Sequence, residues 1–102
     1  DVCSPSRCAF LSGAYPLHNS IDDWIPPGDS YGLPSHFATI ADKMGEAGYT
    51  AHATGKWHAG FANQSWTPTF RGFSSFLGFY SGGEDYFTHQ TSGHYDFRWD
   101  AT

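Results

Sequence analysis

Glycine and proline together fill 18 of the 102 positions, and residues that break helices and strands at that density limit the chain to short elements joined by turns. Against this, 39% of the residues are hydrophobic and 19% aromatic, which excludes a disordered polar tail. The expected product is loop-rich and filled with aromatic rings. Its length allows one small domain or part of one, because domains usually run to about 100–150 residues. A start at Asp-Val-Cys without Met, and an end at Asp100-Ala-Thr with no closing element, suggest a piece of a longer protein. The formal net charge of −5 excludes a basic nucleic-acid-binding arm. No apolar run approaches the roughly 18 residues of a membrane span, and no charged start followed by an apolar stretch reads as a signal peptide.

Periodicity and punctuation place the elements. Pro5 and Gly13 bracket a short helix of about two turns, with Cys3 immediately before its N-terminus. Residues 16–35, including Trp24-Ile25-Pro26-Pro27-Gly28, have no helical or strand period and read as a loop. Phe37, Ile40, Ala41 and Met44 lie at i, i+3, i+4 and i+7 and predict a helix from His36 to Ala47, capped by Ser35 and ended by Gly48. Tyr49–Thr54 reads as a strand stopping at Gly55, so that a helix feeds a buried strand in an α/β unit. Beyond Gly60 the pattern dissolves into Gly- and aromatic-rich turns, with a turn of helix expected at Phe73–Phe76.

Two clusters can carry chemistry. Cys3 stands where free backbone N–H groups and the positive end of a helix dipole favour an anion. Arg7, four residues on, falls on the same helical face. The plainer alternatives for Cys3 are a small buried hydrophobe or a disulfide with Cys8, the latter awkward across a helix start. The second cluster is Gly55-Lys56-Trp57-His58 at a strand's carboxyl end, where the functional groups of α/β sheets gather. Residues two apart in extended chain project to one side, so Lys56 and His58 can act on one target; as solvated surface residues they would do nothing. The remaining histidines lack metal-ligand spacing. Asp22-Asp23 and Glu84-Asp85 read as solvated pairs, and the aromatics as packing more than sugar-stacking surfaces. Asn63-Gln64-Ser65 is an N-glycosylation sequon.

Cys3-Ser4-Pro5-Ser6-Arg7 followed by Leu11-Ser12-Gly13 resembles the C-x-P-S-R…L-T-G signature of type I sulfatases, with Ser12 in place of Thr. Gly48-Tyr49-Thr50 and Gly55-Lys56-Trp57-His58-Ala59-Gly60 resemble the second signature of that family, G-Y-x-T…G-K-W-H-x-G. Pro68–Phe73 and Phe76–Phe87 are similar to the stretch that follows in arylsulfatases, nearest to the arylsulfatase B type. The resemblance implies that residues 1–102 are an N-terminal fragment of a single catalytic domain with a partial alkaline-phosphatase-like α/β fold. It implies a sulfuric ester hydrolase acting on a sulfated small molecule or glycan, secreted or lysosomal, or periplasmic or extracellular in a bacterium. Cys3 would be oxidised to formylglycine by a formylglycine-generating enzyme, and its hydrate would attack sulfur. Arg7 would hold the hydrate, Lys56 would bind hydrate and sulfate, His58 would hydrogen-bond the hydrate, and Ca²⁺ would be held partly by the modified Cys3.

The family's paired Asp, its later Asp-Asn pair and its downstream His and Lys have no counterpart in these residues. The isolated piece is therefore expected neither to bind calcium tightly nor to turn over substrate. A phosphate or phosphonate monoester hydrolase of the same superfamily, and an inactive glycan-binding homologue, are the alternatives.

Overall fold

The computed structural model describes residues 2–102; Asp1 lies outside them. Helix α1, Cys3–Ser12, buries Ser4, Pro5, Cys8 and Leu11, one stripe turned toward the core. Pro5 sits in the first turn, where its missing N–H deprives the helix of nothing, and Gly13 closes the other end at φ +68° with its N–H donating to the Ala9 carbonyl. The helix begins earlier than its proline suggests, so Cys3 is its first residue rather than the one before it. After the short turn α2, Pro16–Asn19, the chain crosses a long loop. Ile21, Ile25 and Leu33, each 2% exposed or less, pin that loop into the core. Buried side chains rather than backbone ladders give it its shape.

The second predicted helix is shorter than expected: α3 spans Ile40–Glu46. Ser35 does not cap it. Thr39 does, accepting from the Asp42 N–H at 3.2 Å while Asp42 Oδ2 accepts from the Thr39 N–H at 2.7 Å. Only half of the apolar stripe is used, since Ala41 is buried and Ile40 and Met44 stay 45% and 39% exposed. Gly48, at φ +91°, ends this segment as its sequence requires.

Strand β1, Ala51–Lys56, runs through Gly55 rather than stopping at it. Its partner is β2, Phe73–Phe79, lying parallel where a turn of helix was expected. The difference has a physical source: β2 is the central strand, with β5 (Arg98–Ala101) antiparallel on its far edge, and its sequence Phe-Ser-Ser-Phe-Leu-Gly-Phe shows no apolar alternation. The three-residue spacing of Phe73 and Phe76 then imitates a helix. Gly78 faces Gly55 across the pair, and a Cβ on Gly78 would fall 1.9 Å from the Gly55 carbonyl oxygen, so the strands need glycine there. Two one-turn 3₁₀ helices, Gln64–Trp66 and Pro68–Phe70, carry the chain between β1 and β2. A small hairpin, β3 (Gln90–Thr91) with β4 (His94–Tyr95), precedes β5.

Cys8, Leu11, Ile21, Ile25, Leu33, Trp57, Ala59, Phe76 and Tyr80 form one core between α1, the loop and the sheet. Each large side chain there contributes about 1.5–3 kcal/mol by leaving water. Trp57 also satisfies its indole N–H, which donates to the Gly60 and Trp66 carbonyls at 3.0 Å each.

Candidate active site

The N-terminus of α1 and the carboxyl end of β1 meet at Cys3. Arg7 joins the two elements directly, its Nη1 donating to the Lys56 carbonyl at 2.6 Å. Cys3, Arg7 and Lys56 line one cavity, and the Cys3 side chain is exposed to it. Lys56 first, as the nearest donor and charge, and then Arg7 hold the Cys3 thiol below its ordinary range against the opposing effect of burial. No disulfide joins Cys3 to Cys8; both are free thiols. Cys8 is fully buried in the core, where desolvation pushes its thiol up to about 12.

His58 approaches from the other side. The β1–β2 ladder continues past Lys56, with the Trp57 N–H donating to Phe79 O at 2.9 Å and the His58 N–H to Tyr80 O at 3.0 Å. There the chain turns, for His58 has φ +51°, a left-handed conformation that costs a side-chain-bearing residue about 1 kcal/mol. The rule that residues two apart share one side fails for this reason: Lys56 and His58 flank Cys3 from adjoining cavities. The imidazole is 2% exposed, and its Nε2 donates to the Ile25 carbonyl at 2.8 Å. A carbonyl only accepts, so the proton is on Nε2 and Nδ1 is a bare lone pair, buried without a partner. Gly82 lies against the ring, where a Cβ would come within 2.9 Å of Cε1.

Sequence reading missed the parts that hold this arrangement. The Ile25 peptide is its hub: its carbonyl receives His58, and its N–H donates to Ser4 Oγ at 2.9 Å, with Ser4 itself wholly buried. Ser4 falls inside the first signature, but nothing in its spacing marks a contact 21 residues away. Glu84 is not solvated as its sequence context predicts: its side chain is 5% exposed and lies 3.6 Å from His89 Nδ1. Asp22 and Asp23 are exposed as expected.

Comparison with known proteins decides what this constellation belongs to. A sequence model of the Sulfatase family matches residues 1–101. The chain belongs to the sulfatase family. It is 42% identical over 89 residues to arylsulfatase J of Mus musculus, covering 86% of this chain and 15% of that protein. It is 38% identical over 77 residues to human arylsulfatase G and 35% over 88 residues to human steryl-sulfatase, covering 76% of this chain in each case and 14% and 15% of theirs. Among solved structures, Ps i-CgsB superposes with a TM-score of 0.80 at 36% identity, over 86% of this chain and 20% of that one. Its complex with k-i-k-neocarrahexaose gives 0.81 at 34%, over 88% and 20%. The chain thus spans about a seventh of the length of these curated sulfatases, and its α/β arrangement is a part of their fold.

The groups around Cys3 suit a formylglycine: a cation lining the same cavity, a second cation one helical turn away, and a histidine at the wall of the adjoining cavity. They do not suit a calcium ion. Among the described residues no three His, Cys, Asp or Glu side chains gather to hold a metal, and the titratable neighbours of Cys3 are cations. No helix among these residues is long and apolar enough to cross a membrane.

Two predictions arise from these environments. In full-length protein made without the modifying enzyme, iodoacetamide should alkylate Cys3 at neutral pH at least about tenfold faster than Cys8, as thiolate character and access dictate. Peptide mass spectrometry reads the two sites, and equal rates would contradict the described packing. The second concerns pH. Burial, aided by the charges of Lys56 and Arg7, lowers the His58 pKa below its usual 6.5 despite the Ile25 carbonyl. The unfolded chain therefore takes up a proton that the folded one refuses, so this contribution to stability is complete above pH 6.5 and declines as the pH falls through 6.5 toward the folded value. Urea midpoints measured across that window should drop with acid, and His58→Gln should flatten the drop; an unchanged slope in the variant would refute the assignment.

Proposed function

We propose that the protein containing this chain is a sulfuric ester hydrolase, secreted or lysosomal, that cleaves sulfate monoesters with a nucleophile made from Cys3. The observation that carries this reading is the convergence of Cys3, Arg7 and Lys56 on one cavity, at a helix start that Arg7 ties to the end of β1. Formylglycine at position 3 would supply, as its hydrate, a hydroxyl oxygen as the nucleophile toward sulfur. Lys56 neutralises charge on that oxygen and on the sulfuryl group in flight, where a fixed cation in a partly dry site is worth far more than in water. Arg7 adds a second positive charge and fixes the separation of α1 from β1. His58, neutral and protonated on Nε2, offers Nδ1 to a hydroxyl of the hydrate and orients it.

Calcium, where the full-length protein uses it, must draw its carboxylate ligands from outside these residues. A sulfated glycan is the favoured substrate class, since a solved relative 34% identical is held in complex with k-i-k-neocarrahexaose. Asn63 is exposed in its sequon and is a candidate glycosylation site. The test is to express the full-length protein with a formylglycine-generating enzyme, read position 3 by peptide mass spectrometry, and assay 4-nitrophenyl sulfate and galactose monosulfates. Conversion of Cys3 together with sulfate release is the expected result; an unmodified Cys3 in an inert protein would favour a binding role, and preference for a phosphate ester would favour the phosphohydrolase alternative.

A further inference from the structure

Cys3 opens onto two cavities, and they differ in kind. The larger, about 850 Å³, is walled by Phe10, Leu11, Ile40, Phe73 and Phe76 and continues the apolar core along the uncovered side of β1. The smaller, about 410 Å³, lies within the roughly 300–1,000 Å³ typical of small-ligand clefts. It is lined by Cys3, His58, Trp24, Ser81, Thr91 and Ser92.

Two features of the smaller cavity find no partner among the described residues. Trp24 is 47% exposed although it is the largest side chain of its loop, and its neighbour Ile25 is buried at 2%. The indole is anchored at the cavity wall, 6.3 Å from the His58 ring and inclined to it by 53°. Ser81 is the second feature. It is 1% exposed and its Oγ has no hydrogen-bond partner among the described residues, although its backbone N–H is satisfied by Asp96 Oδ2 at 2.8 Å. A buried hydroxyl without a partner is a loss to the fold unless something arriving in the cavity completes it. The neighbouring Thr91 hydroxyl is already engaged, donating to the Gly83 carbonyl.

We infer that Trp24 and Ser81 form the leaving-group subsite, and that the group they receive is a sugar ring. This rests on the sulfatase reading above and names the substrate side of the same site. A pyranose has an apolar C–H face that lies on an indole and a hydroxyl edge that pairs with a serine; a flat aryl group uses the indole and leaves Ser81 unpaired. With the sulfuryl group at Cys3 and Lys56, the ring attached to it enters beside His58 and rests on Trp24. Trp24 and Ser81 act on binding of the leaving group, not on the reacting bond.

The test uses full-length, formylglycine-bearing protein with galactose monosulfates and 4-nitrophenyl sulfate as probes. Trp24→Ala should raise KM for the preferred galactose sulfate about tenfold or more while kcat changes less than about threefold, and Trp24→Phe should recover most of the loss. Ser81→Ala should raise KM for the sugar sulfate by a few-fold and leave 4-nitrophenyl sulfate unchanged. An unchanged sugar KM in Trp24→Ala, or a fall in kcat with KM intact, overturns the subsite. Equal losses on both probes in Ser81→Ala overturn the sugar assignment. A wild-type protein that hydrolyses none of the sulfate esters overturns the functional reading itself, whereas an active wild type indifferent to Trp24 removes only the subsite. Thermal melts of the variants separate misfolding from loss of binding, since a half-exposed Trp24 should be removable without unfolding.

Discussion

Cys3→Ala in the full-length protein should abolish turnover of sulfate esters, lowering kcat by about 10⁴ or more, the scale on which removal of a covalent nucleophile is felt. The side chain is exposed and outside the core, so stability should stay within about 0.5 kcal/mol of the parent. The two measurements together are decisive. Retention of most activity would exclude Cys3 as the origin of the nucleophile, and a large loss of stability would mean that its exposed position at the head of α1 is misassigned. Lys56 and Arg7 remain in place in this variant, so any residual rate measures what their charges accomplish without a nucleophile.

The largest effect on stability is expected at a residue remote from the chemistry. Arg71 is 4% exposed, and its guanidinium donates to the Leu33, Pro34 and Phe37 carbonyls at 2.5, 3.3 and 2.7 Å. Its own carbonyl accepts from Thr39 Oγ1 at 2.6 Å, at the capping box of α3. One side chain thus substitutes for the backbone ladder that residues 33–37 lack. Arg71→Ala strands the Leu33 and Phe37 carbonyls, leaves Pro34 O with only the Phe37 N–H, and removes a packed stem, which should cost about 3–5 kcal/mol. Lys in its place is a single point charge that cannot serve three divergent acceptors, so Arg71→Lys should recover less than half. Urea unfolding of the full-length variants checks both, and a loss under about 1 kcal/mol in Arg71→Ala would show that the loop is held by something else. Because the Arg71 contacts lie outside both cavities that open on Cys3, activity per folded molecule should be unchanged.

Legibility in the sequence followed how local each cause is. Gly13 closing α1 and Gly48 ending α3 act through their own φ angles, and both were readable. The sulfatase signatures were readable because they keep chemistry-bearing residue types at fixed spacing. The α3 N-cap was misassigned, since Ser35 and Thr39 are both adequate caps and Arg71, a contact 32 residues away, favours Thr39. The three-residue spacing of Phe73 and Phe76 imitates a helical turn, and the serines and glycine between the apolar residues of β2 leave no alternation to mark a strand.

By itself the sequence determined the family and nominated the residues proposed to carry the chemistry: Cys3, Arg7, Lys56 and His58 are named by motif and by residue type. Only the tertiary structure decided how they face one another. The left-handed turn at His58, the Ile25 peptide that receives its proton, and the ladder from β2 that delivers it beside Gly82 all depend on partners distant in the chain. Contacts of that kind leave no periodic trace, because each is satisfied once, by residues that adjoin only after the chain has closed on itself.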